Sequence, residues 1–164
     1  MAVQSSLQFP EKLIVRLVED DTGRPVPNIA TTLTLYAKRK NNYNFGPGLS
    51  DSVGTITISR DWVERSIKET IGFFVMDYAS TIDHCYPFID LEVKSIDDIQ
   101  RAIAARRLYS TVKEGELGVV NSISDLENAS NHAYEPQTVR IKLDTPGEAI
   151  REVLIKLRRR SPRA

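Results

Sequence analysis

Leu13-Ile-Val-Arg-Leu-Val18, Thr32-Leu-Thr-Leu-Tyr-Ala37 and Gly54-Thr-Ile-Thr-Ile-Ser59 are the runs that decide the fold class of this chain. Apolar and polar residues alternate in each with a period of two, as they do in a strand with one buried face. Leu13, Val15 and Leu17 are the predicted inner set of the first run, with Arg16 outward. Leu33, Leu35 and Ala37 repeat that logic in the second run, and Ile56 and Ile58 in the third, where the threonines add β-branched bulk. The linking segments Asp20-Asp-Thr-Gly-Arg-Pro-Val-Pro-Asn28 and Ser50-Asp-Ser-Val-Gly54 hold the Gly, Pro and Asp residues from which turns are made. The expected class is mainly β.

Further along, the period changes. Asp61-Trp-Val-Glu64 predicts a helix over about residues 61–71, with Asp61 as cap, Glu64 at the capping-box position, Val63, Ile67 and Ile71 on one face, and Gly72 as terminator. Glu64 and Lys68 are spaced for an i,i+4 pair. Phe73-Phe-Val-Met-Asp-Tyr-Ala79 and Pro87-Phe-Ile-Asp-Leu-Glu-Val-Lys94 predict two more strands, the second with Ile89, Leu91 and Val93 inward and Asp90, Glu92 and Lys94 outward. A second helix is expected over about 95–112, capped by Ser95, with an Asp97–Arg101 pair, Ile96, Ile99 and Ile103 buried, and Arg106 and Arg107 suited to its negative end. Ser124-Asp-Leu-Glu127 predicts one short helical turn within a polar stretch. Thr138-Val-Arg-Ile-Lys-Leu143 is a strand with Val139, Ile141 and Leu143 inward, followed by the turn Asp144-Thr-Pro-Gly147. Residues 148–158 fit either period; the preceding turn favours a returning strand.

The chain has 164 residues, enough for one sizeable core of about 100 to 200 residues. The expected organisation is an arm over 1–11, one domain over 12–158 carrying the two helices as insertions, and a basic tail over 159–164 that is frayed. Lys plus Arg equals Asp plus Glu, 22 against 22, so no global basic field gathers nucleic acid or an anionic membrane. The one cysteine, Cys85, rules out an intrachain disulfide and a multi-Cys zinc site, which suits a reducing, bacterial-type cytoplasm. The first ten residues lack the basic and apolar regions of a secretory signal, and no window approaches the roughly 18 apolar residues of a membrane helix.

The stretch Val18-Glu-Asp-Asp-Thr-Gly-Arg-Pro-Val-Pro-Asn-Ile29, with Ser50-Asp-Ser-Val-Gly-Thr-Ile-Thr-Ile58 after it, resembles the strand-turn-strand signature of carboxypeptidase regulatory-like domains, which belong with the transthyretin-like sandwiches. The resemblance covers roughly residues 13–59 plus the closing strands. It implies a prealbumin-like antiparallel β-sandwich, into which the two helices are inserted, and a noncatalytic interaction role without a cofactor. Gly23 and Gly54 are expected at turn conformations costly for other residues, Pro25 and Pro27 stiffen the entry to the second strand, and the turn aspartates can accept from backbone amides.

Enzymes of similar fold leave no complete motif here. Neither histidine stands in a His-x-x-Glu arrangement, and the chain ends Ser161-Pro-Arg-Ala164 where hydroxyisourate hydrolases end Tyr-Arg-Gly-Ser. Intradiol dioxygenases bind iron with two tyrosines and two histidines; His84-Cys-Tyr86 and His132-Ala-Tyr134 supply those residue types without the His-x-His spacing. A small enzyme or metal site built from His84, Cys85, Tyr86, His132 and Tyr134 is the alternative to a binding module, and it requires the five to converge. The expected partner is a protein, a second copy of the chain included. Its contact surface is sought in the loop Lys38-Arg-Lys-Asn-Asn-Tyr-Asn-Phe-Gly-Pro-Gly48, on Arg39, Lys40, Tyr43, Asn44 and Phe45, because Tyr and Arg bury area while keeping directed polar groups. Arg158 to Arg163, extended by Arg106 and Arg107, is a weaker candidate for gripping phosphates.

Overall fold

The computed structural model describes residues 9–37, 43–71, 85–104, 129–143 and 149–160. The strands are β1 (Lys12–Glu19), β2 (Ala30–Ala37), β3 (Tyr43–Leu49), β4 (Thr55–Ser59), β5 (Cys85–Val93), β6 (Gln137–Lys142) and β7 (Ile150–Leu157). Helix α1 (Arg60–Ile71) follows β4, and α2 (Ile96–Ala104) follows β5. The chain is mainly β, with a three-stranded sheet in the order β4-β1-β7 and a four-stranded sheet in the order β3-β2-β5-β6.

One apolar cluster joins the two sheets. Leu13, Val15 and Leu17 of β1 and Ile155 and Leu157 of β7 meet Leu33 and Leu35 of β2, Ile89 and Leu91 of β5 and Ile141 of β6, all buried. These are the alternate residues that period two selects, since every second side chain points to the same face. Trp62 and Val63 of α1 join the cluster, and α1 lies against β3 and β4, which among the described residues are an edge strand of each sheet. A second small cluster, Ala30, Ile99 and Ala129 with Leu49 and Ile96, seats α2 at the start of β2.

The turns behave as their residues require. Gly23 (φ 71°) and Gly54 (φ 73°) both take left-handed backbone, where a Cβ is costly. Asp51 Oδ1 accepts from the N–H groups of Val53 and Thr55, each at 3.0 Å. Ser50 Oγ accepts from Ile29 N–H at 2.9 Å and donates to the Val26 carbonyl at 2.8 Å, tying the two quoted turns together.

Several expectations are corrected. Residues 43–49 are a strand, although Gly46-Pro-Gly48 reads as a turn. Among the described residues β3 is an edge strand, where proline costs no interior ladder bond, and the register with β2 slips between Thr31 and Leu33, so the surplus residue is absorbed as a bulge. Helix α1 is capped by Ser59, whose Oγ accepts from Trp62 N–H at 3.1 Å, while Asp61 pairs with Arg65 one turn on. Ser95 does cap α2, through Asp98 N–H at 3.2 Å, but Arg101 pairs with Asp98 instead of Asp97. Residues 150–157 form a strand, yet it runs parallel to β1 instead of returning along β6. Arg158 to Arg160 are tied down: Glu135 N–H donates to the Arg158 carbonyl at 2.8 Å and Arg160 N–H to the Ala133 carbonyl at 3.0 Å. The expected strand at 73–79, the helix beyond Ala104, the turn at 124–127, Gly72 and residues 161–164 of the tail lie outside the described residues.

Candidate functional site

The outer face of the four-stranded sheet holds the densest set of directed polar and aromatic groups among the described residues. Tyr36, Asp90 and Arg140 belong to three neighbouring strands, β2, β5 and β6. Register sets Arg140 directly opposite Asp90, and Tyr36, two residues beyond the Thr34 that faces Asp90 and next to the register shift of β2, reaches the same carboxylate with its hydroxyl. Asp90 is only 4% exposed although it lies on the outward face. Its carboxylate is filled: Arg140 donates through Nε to Oδ1 at 2.9 Å and through Nη2 to Oδ2 at 3.2 Å, and the Tyr36 hydroxyl also donates to Oδ2. A two-pronged guanidinium contact of this kind fixes direction as well as charge.

Aromatic rings frame the ion pair. The Arg140 guanidinium sits 4.2 Å from the Phe88 ring centroid and 5.5 Å from that of Tyr36. Phe88 in turn lies 5.3 Å from Tyr36 and 5.6 Å from Tyr86, the latter pair stacked at 28°. Tyr86 is 41% exposed and the Arg140 side chain 57%, so the ladder presents rings and a cation to solvent above a buried carboxylate. Cation–π contacts hold such a guanidinium flat against the surface.

The titration of these groups follows from that geometry. Hydrogen bonding to Arg140 is the largest influence on Asp90 and holds its carboxyl below the usual value, ahead of the opposing effect of burial. Tyr36 is raised, first by burial and then by its bond to the Asp90 carboxylate. Asp90 is thus a weak base that stays ionised, and Tyr36 a phenol that keeps its proton.

A second polar cluster forms around Tyr134. Buried in the main core, Tyr134 donates its hydroxyl to Glu19 Oε1 at 3.4 Å, and Arg159 Nη2 donates to the same oxygen at 3.1 Å. Arg160 Nε donates to the Tyr134 carbonyl at 3.1 Å. These contacts spend the first arginines of the basic run on the fold. Nearby in the chain, Asn131 is fully engaged: its Oδ1 accepts from Ala30 N–H at 2.7 Å, and its Nδ2 donates to the carbonyls of Ala30 and Lys94 at 2.9 and 2.7 Å.

Of the residues expected to form a contact surface, Arg39 and Lys40 lie outside the described residues. Tyr43, Asn44 and Phe45 are placed on β3, opposite Leu35, Thr34 and Leu33 of β2. They therefore belong to the same end of the same sheet as Tyr36. The alternative site does not assemble among its described members. Tyr86 is near the start of β5, whereas His132 and Tyr134 precede β6, whose first residue pairs with the last of β5. That spacing of about seven strand residues separates the two groups by about 20 Å. His132-Ala-Tyr134 is also not a strand: the short 3-10 turn Asn131–Ala133 leaves His132 exposed and Tyr134 buried, so the two do not share a face. Cys85 opens β5 opposite Ala37, and His84 lies outside the described residues.

Sequence reading missed Tyr36, Phe88, Asp90 and Arg140 as a group. Alternation placed all of them outward, and that signal was available. Which outward residues become neighbours depends on strand order, which alternation does not carry.

No helix among the described residues is long and apolar enough to cross a membrane. No protein-family model matches the chain, and no curated protein matches it.

Proposed function

We propose that this chain is a noncatalytic protein-interaction or assembly module on a carboxypeptidase regulatory-like, prealbumin-type sandwich, and that its partner surface is the end of the four-stranded sheet bearing Tyr36, Tyr86, Phe88 and Arg140. The observation that carries the reading is the exposed ring-and-guanidinium ladder held from below by buried Asp90. Tyr and Arg dominate the energetics of protein contacts, and a surface already locked in place loses little side-chain freedom on binding. Asp90 is spent on holding the surface and is held ionised, which makes it a poor proton acceptor. That favours recognition over chemistry.

The prealbumin-type assignment rests on the quoted signature and on its placement. Residues 13–59 lay β2 beside β3 in one sheet and return β4 beside β1 in the other, the 4-1-2-3 progression of a Greek key divided between two layers. A protein partner in a reducing compartment is the expected ligand.

Affinity capture with the full chain, read by mass spectrometry, tests the assignment. Tyr86→Ala and Arg140→Ala are expected to lose a partner that wild type and Val53→Ala retain, Val53 being an exposed turn residue on another part of the surface. Retention of every partner by both ladder variants refutes the surface.

A further inference from the structure

The geometry points to a second interface, on the three-stranded sheet: β7 pairs antiparallel with β7 of a second copy of this chain, joining two three-stranded sheets into one of six strands. This inference does not rest on the Tyr36 surface, which belongs to the other sheet.

Strand β7 has a hydrogen-bonded neighbour on one side only among the described residues. Lys12 N–H donates to the Ala149 carbonyl and Asp20 N–H to the Leu157 carbonyl, and the parallel register between them is unbroken. The odd-numbered residues of β7 therefore spend their backbone groups on β1, and Ile150, Glu152, Leu154 and Lys156 turn theirs to the open edge. The same four side chains occupy the outer face, and all four residues are exposed, Ile150 at 55% and Leu154 at 52%. Open backbone groups beside exposed aliphatic side chains form a template for strand addition.

The charge pattern selects the occupant. Glu152 and Lys156 stand two residues either side of Leu154. In an antiparallel self-pair centred on Leu154, Leu154 faces Leu154 of the second copy, and Glu152 of each copy faces Lys156 of the other. Opposite charges directly across a strand pair are favourable and like charges are not, so a single arrangement satisfies both ion pairs and the aliphatic contact. Arg16 already pairs with Glu152 from the β1 side at 3.2 Å, and Lys156 of the second copy approaches from the open side. The ladder has room for residues 151–157 of each strand, because the next carbonyl, that of Arg158, is taken by Glu135 N–H. An isologous contact of this type closes on itself as a two-fold dimer.

Sedimentation equilibrium of the full chain over micromolar concentrations is expected to find a dimer. Leu154→Lys, which sets two cations against each other on the axis, and Lys156→Glu, which sets Glu against Glu152, are each expected to weaken it at least about tenfold. The double variant Glu152→Lys/Lys156→Glu exchanges the charges and is expected to recover the dimer relative to Lys156→Glu alone. In wild type, the amides of Glu152, Leu154 and Lys156 are expected to exchange hydrogen more slowly as concentration rises, a reading independent of any variant's folding. A wild-type monomer throughout, a dimer indifferent to Leu154→Lys, a double variant no tighter than Lys156→Glu, or concentration-independent exchange at those amides each overturns the inference.

Discussion

Asp90 and Arg140 face each other across β5 and β6 on the solvent side of the sheet, yet Asp90 is 4% exposed while the Arg140 side chain is 57% exposed. Both carboxylate oxygens are bound, Oδ1 by Arg140 and Oδ2 by Arg140 and Tyr36. The pair anchors the exposed ladder, and its removal has effects on stability as well as on recognition.

Replacing Asp90 with Asn is expected to destabilise the fold by about 1 to 2 kcal/mol at neutral pH, the lower part of the range for charged hydrogen bonds because Arg140 stands half in solvent. The folded carboxyl titrates below its ordinary value, so its contribution is complete above about pH 4 and is lost as pH falls through the lower folded value. Urea unfolding of both proteins from pH 7 downward checks this: the gap between them should close below about pH 4. A gap unchanged at acid pH means that the charge of Asp90 is not what matters.

Tyr36 moves in the opposite direction. Its folded value is raised above 10.0, so its contribution is full below that pH and declines as pH rises through the folded value. Difference absorbance titration of wild type against Tyr36→Phe should isolate one phenol that ionises later than a free tyrosine. An ordinary midpoint for that difference signal contradicts the placement of its hydroxyl on Asp90.

Asn131→Ala removes one acceptor contact and one donor contact to the buried backbone groups of Ala30 and one donor contact to the partly buried carbonyl of Lys94. The expected loss is about 2 to 4 kcal/mol. Asn131→Asp should also destabilise, because an ionised carboxylate accepts from Ala30 N–H but cannot donate to the two carbonyls. Denaturant midpoints equal to wild type for Asp at this position count against the clamp.

Gly23 and Gly54 share a left-handed backbone and differ in their surroundings. A Cβ at Gly23 meets nothing within 4 Å, whereas one at Gly54 meets the Leu17 carbonyl oxygen at 2.7 Å and the Val26 nitrogen at 2.9 Å. Gly23→Ala is expected to cost about 1 kcal/mol, the penalty of the backbone conformation alone. Gly54→Ala is expected to cost more than about 3 kcal/mol, since backbone must shift. Thermal melts of the two variants should separate clearly; similar shifts argue against the close approach at Gly54.

Local chemistry determined much of this protein from sequence alone. Period-two alternation identified the inner residues of β1, β2, β4, β5 and β6, and the turn glycines carry the positive φ expected of them. Those properties depend on near neighbours in the chain, so they are written where they act. The tertiary structure decided what near neighbours do not encode. It made a strand of 43–49, at the edge of its sheet among the described residues, where Pro47 is tolerated, and it set β7 parallel to β1 across more than a hundred residues. It gathered Tyr36, Asp90 and Arg140 from strands 54 and 50 residues apart. It also separated Tyr86 from Tyr134, whose sequence surroundings look alike. Alternation says which side of a sheet a residue takes; only the order and register of strands say which residues stand beside it.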